Sequence, residues 1–163
     1  MLTQRRLQEV LSYDPSTGLF AWLVVPNGRI TVGQIAGNLN PQSYVQIKVD
    51  MTLYRAHRLA WLYVTGEWPQ ETIDHLNGVR HDNRLCNLRE ASIAVNSQNR
   101  RDPHPNNASA GALGVSKRNG TGGYQARIRY QGKEKRLGTF PTAEMAHQAY
   151  LSAKRALHPG CTI

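Results

Sequence analysis

Residues 71–100 decide the fold of this chain and read ETIDHLNGVRHDNRLCNLREASIAVNSQNR. The segment opens with a short β-run at 72–73 that leads directly into an acidic and an imidazole side chain. A polar loop rich in Asn, Gly, Asp and Arg follows at 77–87, and the pattern predicts mainly helix over 88–99. A strand, a polar loop and a helix in this order would bring four polar side chains together: Asp74, His75, Asn87 and Asn96.

This set contains what the hydrolysis of a phosphodiester needs. A general base must accept a proton from water near neutral pH, and a neutral imidazole does so because its ordinary pKa lies close to that range. We therefore predict that His75 is the base. Asn87 is the expected brace, since its amide can bond the loop backbone and so fix the position of the imidazole.

The same set can hold a hard cation. Mg²⁺ prefers oxygen ligands and keeps several waters, so two protein oxygens are enough. The Asp74 carboxylate and the Asn96 carbonyl can supply them, although Asn99 lies only three residues further and could share the same helix face. Neighbours on an extended strand point to opposite sides, so Asp74 can face a metal while His75 faces the attacking water.

Segments spread over residues 10–100 carry a resemblance to the phage-type HNH endonucleases, the ββα-metal nucleases whose third motif position is Asn. The resemblance implies that Asp74 and Asn96 ligate Mg²⁺ or Mn²⁺, that His75 is the general base and that Asn87 braces the loop. Zinc-stapled relatives carry paired cysteines around the motif, and this chain lacks them, so no structural zinc is expected. The matching segments are Tyr13–Gly18, Ala56–Trp61, Thr65–Pro69, Ile73–Gly78 and Asp82–Ala91.

Three arginines stand near the predicted site: Arg80, Arg84 and Arg89. Arginine suits phosphate because its planar fork donates two hydrogen bonds at once, and we select Arg84 as the phosphate contact. The alternative is that these arginines form local ion pairs on the surface. His57, at the head of an apolar helix predicted over 57–65, is interpreted as a structural histidine.

Local signals predict several further elements in residues 1–100. Thr3 is expected to cap a short N-terminal helix, Leu19–Val25 to form a strand, Asp50-Met51 to make a tight connection to a partner strand, and Gly66 to stop the helix over 57–65.

Charge points to a polyanionic partner for the C-terminal part. The chain has 163 residues and a net charge of +9; residues 1–100 hold 10 basic and 8 acidic side chains, whereas residues 101–163 hold 10 and 3. The longest apolar run, Leu19–Val25, is far shorter than the roughly 20 residues that a membrane helix needs, so no membrane association is expected. Two cysteines without C-x-x-C spacing fit a reducing cytoplasm, either bacterial or that of a phage-infected host.

Composition divides the chain into two parts. Residues 101–112 are rich in Pro, Asn and small side chains and are predicted to form a linker. It separates a nuclease domain over 1–100, with the ββα-metal motif at 71–100, from a smaller domain over 113–160. The predicted fold class is therefore α+β, in which the second domain is a three-stranded antiparallel sheet packed on one helix.

The second domain is predicted to bind duplex DNA through its sheet. Gln125–Tyr130 alternates apolar and polar side chains, a second strand covers Lys133–Leu137, and Thr142 caps a helix. Gly114-Val115, Tyr124–Ile128, Leu137–Phe140 and Thr142–Glu144 resemble the Apetala-type (ethylene-response-factor) DNA-binding domain, although Ser116 and Tyr124 depart from its usual residues. A sheet can enter the major groove and contact bases with Arg and Gln. The candidate contacts are Arg118, Gln125, Arg127, Arg129, Lys135 and Arg136.

The sequence thus predicts a metal-dependent DNA endonuclease of homing type, monomeric or weakly dimeric, whose C-terminal domain binds duplex DNA. One active site per chain predicts nicking as the first event. The alternative is a DNA-binding protein whose nuclease part is inert. An RNA nuclease or RNA-binding protein fits less well, because the sheet presents arginines without the stacked aromatics typical of single-strand recognition.

Overall fold

The structure is a computed structural model, and it describes residues 1–25, 28–100, 111–118, 120 and 122–162. Its internal contacts divide into two units, Met1–Ile93 and Ala94–Ile163. None of the helices in these ranges is both long enough and apolar enough to cross a membrane. Most of the predicted linker, residues 101–110, lies outside the described residues, so the linker and the domain boundaries drawn around it stay predictions.

The first unit begins with a capped helix and a β-hairpin. The Thr3 hydroxyl accepts a hydrogen bond from the Arg6 backbone N–H at 3.2 Å and starts the first helix, as predicted. The strand predicted over Leu19–Val25 ends earlier, at Trp22, where it stops pairing with the first strand. In chain order the elements are α1 (Gln4–Val10), β1 (Leu11–Asp14), β2 (Leu19–Trp22), β3 (Asn38–Leu39), β4 (Val45–Val49), β5 (Thr52–Arg55), α2 (Ala56–Thr65), β6 (Thr72–His75) and β7 (Leu88–Ala91).

The β4–β5 hairpin and the helix after it confirm the sequence pattern. Asp50 and Met51 form the two-residue turn with positive φ angles of 46° and 65°, as a primed hairpin turn requires. Helix α2 ends at Gly66, whose φ of 84° is left-handed and whose N–H donates to the Leu62 carbonyl at 3.0 Å. The main core of the unit lies where α1, the β1–β2 hairpin and β4 meet α2, and its fully buried members include Leu7, Leu11, Phe20, Ile47 and Leu59.

The prediction of helix from Leu88 onward is wrong at its start. Residues 88–91 form strand β7, which pairs antiparallel with β6 so that Asp74 faces Arg89 and His75 faces Leu88. This pairing satisfies backbone groups that a helix would otherwise satisfy, and it buries Leu88. The helix α3 is therefore short, Ile93–Gln98. The observed order of strand, loop, strand and helix is consistent with a ββα-metal motif.

The second unit contains the predicted three-stranded antiparallel sheet and its helix. The strands β8 (Val115–Lys117), β9 (Tyr124–Tyr130) and β10 (Lys133–Phe140) lie in the order β10-β9-β8. Helix α4 (Ala143–Leu157) begins at the Thr142 cap and packs on the sheet around Val115, Ala126 and Ala146. A Cβ atom on Gly114 would lie 2.0 Å from the Tyr150 ring, so only glycine permits this close approach.

Candidate active site

His75 ends strand β6 and is held against an amide. The residue is 5% exposed, and its Nε2 lies 3.4 Å from the Asn83 Oδ1. The amide orientation is defined, because the Asn83 Nδ2 donates to the His81 carbonyl at 3.2 Å and so turns Oδ1 toward the imidazole. The tautomer with its proton on Nε2 can donate to this oxygen, and its lone pair is then on Nδ1. Burial lowers the pKa of His75 below its ordinary value, although the bond to Asn83 opposes this shift.

Asn83 is positioned by the N-terminal hairpin. The Tyr13 hydroxyl, on β1, donates to the Asn83 carbonyl at 2.7 Å. In the turn between β1 and β2, Gly18 packs so closely on residues 83–84 that a Cβ atom added to it would lie 2.5 Å from the Asn83 carbonyl carbon. Asn83 is not among the site residues predicted from the sequence. Spacing within the loop would not have selected it, because Tyr13, which bonds its carbonyl, lies 70 residues earlier in the chain.

Asn87 does bond the loop backbone. Its Oδ1 accepts from the Asn77 N–H at 2.9 Å, and its Nδ2 donates to the Asp82 carbonyl at 2.8 Å. The Asn87 carbonyl accepts from the Leu76 N–H, directly after His75. Asn87 therefore closes the two ends of the loop onto each other, while the amide that contacts the imidazole is that of Asn83. That Asn87 contributes to catalysis by bracing the loop stays a prediction.

Asp74 lies beside His75 on β6 and is 6% exposed. One of its oxygens, Oδ2, accepts both from Arg89 Nη2 at 2.8 Å and from Arg89 Nε at 3.1 Å, across the β6–β7 pair. The carboxylate is thus buried in direct contact with a guanidinium group. A carboxylate and an amide carbonyl are ligands that suit Mg²⁺ or Mn²⁺.

The second predicted metal ligand belongs to α3. Asn96 and Asn99 both fall in the second unit, so the pairing of either with Asp74 stays a prediction. The two differ in what their side chains do: Asn99 is buried and its Oδ1 accepts from the Thr162 hydroxyl, whereas Asn96 is half-buried. Across the described ranges no group of three or more His, Cys, Asp or Glu side chains is placed to hold a metal ion, and the predicted pair is one carboxylate and one amide.

Arg84 is engaged by a carboxylate. Its Nε and Nη2 donate to the two Asp82 oxygens at 2.8 and 2.6 Å. The pair is bidentate, so it uses the same two donors that would bind a phosphate. This contact is the main reason that the pKa of Asp82 is lowered to about 2. Arg89 is likewise paired with Asp74, which leaves Arg80 as the predicted neighbour without a carboxylate partner in the described part of the chain.

His57, interpreted from the sequence as a structural histidine, packs directly on the candidate base. Its ring meets the His75 ring edge-to-face at 5.0 Å, and the Tyr44 ring lies 5.4 Å from His57 and 6.0 Å from His75. His57 is 5% exposed, and its Nδ1 is buried without a hydrogen-bond partner. Burial, with a further contribution from His75, lowers the pKa of His57 to about 3, so the ring is neutral.

The second unit has a basic depression on the sheet face away from α4. A cavity of about 420 Å³ is lined by Ser116, Lys117, Arg118, Gln125, Arg127 and Arg136. Arg127 donates to Gln125 and pairs with Glu134 at 3.0 Å, and it faces Arg136 across the strands. Arg129 shares the parity of Arg127 but does not line this cavity. Lys135 pairs with Ile128 and so lies on the opposite face, which corrects its placement in the predicted basic surface.

Comparison with known families identifies the segment that contains this site. Residues 54–98, from β5 into α3, match the family model described as HNH endonuclease. No curated protein and no solved structure matches the chain at a significant level. HNH nucleases generally use a divalent metal ion. The match supports an HNH nuclease domain in this chain, with DNA as its substrate.

Proposed function

We propose that this protein is a metal-dependent DNA endonuclease in which His75 is the general base. The observation that carries the proposal is the buried imidazole at the end of β6, neutral near pH 7 and oriented by Asn83, beside the Asp74 carboxylate. A neutral base with a defined tautomer can accept a proton from water without a change in its own position. The HNH match over residues 54–98 supports the same chemistry.

In this proposal each side chain has one task. His75 Nδ1 takes the proton from the attacking water, while Asn83 holds Nε2–H and so preserves the tautomer. Asp74 and Asn96 would hold Mg²⁺ or Mn²⁺, which stabilises negative charge on the phosphate and on the leaving oxygen. Arg89 orients the Asp74 carboxylate through Oδ2. Asn87 keeps the loop between β6 and β7 closed around the base.

We further propose that the second unit is an Apetala-type module that binds duplex DNA through its basic depression, as in a homing endonuclease. The clustering of Arg118, Gln125, Arg127 and Arg136 in one cavity supports this role, because Arg and Gln contact both phosphates and base edges. A monomer or weak dimer with one active site per chain would nick first. A second strand would then be cut only after a second engagement.

Nicking of supercoiled plasmid and phage DNA in Mg²⁺, Mn²⁺ or EDTA tests this proposal. We expect nicked circles to precede linear DNA in either metal, and no cleavage in EDTA. Asp74→Asn should slow nicking by at least about 100-fold, because a ligand of the charge-stabilising metal is weakened. Cleavage that persists in EDTA would contradict the proposal. Tight duplex binding without cleavage of any DNA would favour the alternative, an inert DNA-binding protein.

A further inference from the structure

Two arginines of the first unit share one aromatic ring next to the candidate base. The guanidinium carbon of Arg55, at the end of β5, lies 4.5 Å from the Tyr44 ring centroid. That of Arg80, in the loop between β6 and β7, lies 5.4 Å from the same centroid. The Tyr44 ring in turn lies 6.0 Å from the His75 ring. Both guanidinium groups are therefore one aromatic ring away from His75.

These two arginines differ from the others near the site in their partners. Arg84 is held by Asp82 and Arg89 by Asp74. Within the described ranges no carboxylate lies in ion-pair distance of Arg55 or Arg80; Arg80 donates only to the Gln42 carbonyl, at 3.2 Å. Both side chains belong to exposed residues, so their donors can reach a ligand from solvent.

The arrangement fits a phosphodiester anion. Two positive charges beside one ring raise the local positive potential, which attracts the phosphates of a DNA backbone. The guanidinium fork matches phosphate oxygens, and stacking on Tyr44 orders the side chains before binding, which reduces the entropy lost when a ligand binds. Cation–π stacking contributes about 0.5–1 kcal/mol at exposed sites, enough to bias the rotamers.

We propose that Arg55 and Arg80, ordered on Tyr44, form a phosphate clamp that holds the DNA backbone beside His75. This inference rests on the proposed nuclease function and assigns its substrate contacts in the first unit. In this proposal Arg55 and Arg80 take the place of Arg84 as the phosphate contacts near the base, because the guanidinium donors of Arg84 are bonded to Asp82. The clamp positions the strand, whereas His75 acts on the water.

Salt-dependent binding of duplex DNA by the full chain in EDTA tests the clamp without any cleavage. Each phosphate contact contributes about 0.9 to the slope of log affinity against log salt. Arg55→Gln and Arg80→Gln should each lower the slope by about 0.9 and weaken binding about eightfold at 0.1 M salt. The double variant should lose about 1.8 in slope. Arg55→Lys with Arg80→Lys keeps the charge, so its slope should stay that of the wild type.

Arg5→Gln is the matched control for loss of one charge. Arg5 lies on α1 in the same unit, its side chain is 91% exposed, and it pairs with Glu9. We expect its slope to equal that of the wild type. Tryptophan fluorescence during urea unfolding shows that each variant is folded, since Trp22, Trp61 and Trp68 all lie in the first unit.

The outcomes separate the clamp from the nuclease proposal. If the wild type binds and nicks DNA while folded Arg55→Gln and Arg80→Gln keep its salt slope, the clamp is wrong and the nuclease proposal stands. An equal loss of slope in Arg5→Gln would show that the slope reports only the overall charge of the protein, and this would also overturn the clamp. A wild-type chain that neither binds nor nicks DNA would overturn both.

Discussion

Replacing Gly18 with Ala should destabilise the first unit and displace Asn83, which contacts the candidate base His75. Gly18 has a φ of 75°, in the left-handed region, and a Cβ there would lie 2.4 Å from the Arg84 backbone nitrogen and 2.5 Å from the Asn83 carbonyl carbon. Both neighbours are backbone atoms, so no side-chain rotation removes the overlap. The turn or the loop that carries Asn83 must shift.

The size of the effect follows from two contributions. A non-glycine residue in the left-handed region costs about 1–2 kcal/mol. Overpacking of a tight contact adds about 1–3 kcal/mol, which makes about 2–5 kcal/mol in total for Gly18→Ala. For a unit of this size, 1 kcal/mol corresponds to about 4–8 °C in Tm, so we expect a loss of about 10 °C or more.

Gly33→Ala provides the matched control. Gly33 has a φ of 83° but nothing within 4 Å of the Cβ position, so its substitution carries only the backbone cost of about 1–2 kcal/mol. Urea unfolding followed by tryptophan fluorescence gives both free energies of unfolding, because all three tryptophans lie in the first unit. The reasoning is refuted if the two variants agree within about 0.5 kcal/mol.

Further expectations concern pH and the sheet of the second unit. Burial lowers the pKa of His57 to about 3, so as the pH falls the unfolded chain binds a proton on this residue before the folded chain does. Below pH 6.5 the free energy of unfolding of the wild type should therefore fall by up to about 1.4 kcal/mol per pH unit. Urea unfolding of His57→Leu should lack this contribution, and equal pH slopes for the two proteins would contradict it. Because burial also lowers the pKa of His75, the nicking rate should rise with pH to a plateau with a midpoint below 6.5, and a higher midpoint would argue against His75 as the base. Arg136→Gln should lower the slope of log affinity for duplex DNA against log salt by about 0.9, whereas Lys135→Gln, on the other face of the sheet, should leave it unchanged. Equal effects of the two substitutions would contradict the assignment of these residues to opposite faces.

Local patterns of the sequence were sufficient for several elements of the fold. The Thr3 cap, the Asp50-Met51 turn and the Gly66 stop each depend on neighbours within a few residues, and the structure confirms all three. The α4 cap at Thr142 is of the same kind. Such features are encoded by local backbone preference, which a single sequence displays directly.

Features that depend on distant partners could not be predicted in this way. Strand β7 reads as helix until its pairing with β6 is known, because tertiary pairing overrides local propensity. The contact of Asn83 with His75 depends on Tyr13, which lies 70 residues before Asn83. The Arg84–Asp82 pair is local, and the sequence pattern left it open as the alternative to a phosphate contact. The sequence could therefore indicate the base and its neighbours, but not which amide orients the base or which arginines keep their donors for a ligand.

The central claim is that His75 performs the chemistry, and nicking by His75→Ala tests it most directly. The comparison is with His81→Ala, an exposed histidine of the same loop, in Mg²⁺ or Mn²⁺ on supercoiled plasmid and phage DNA. We predict a loss of about 100-fold or more for His75→Ala, with duplex binding retained, and wild-type nicking for His81→Ala. Nicking by His75→Ala at the wild-type rate would contradict the account.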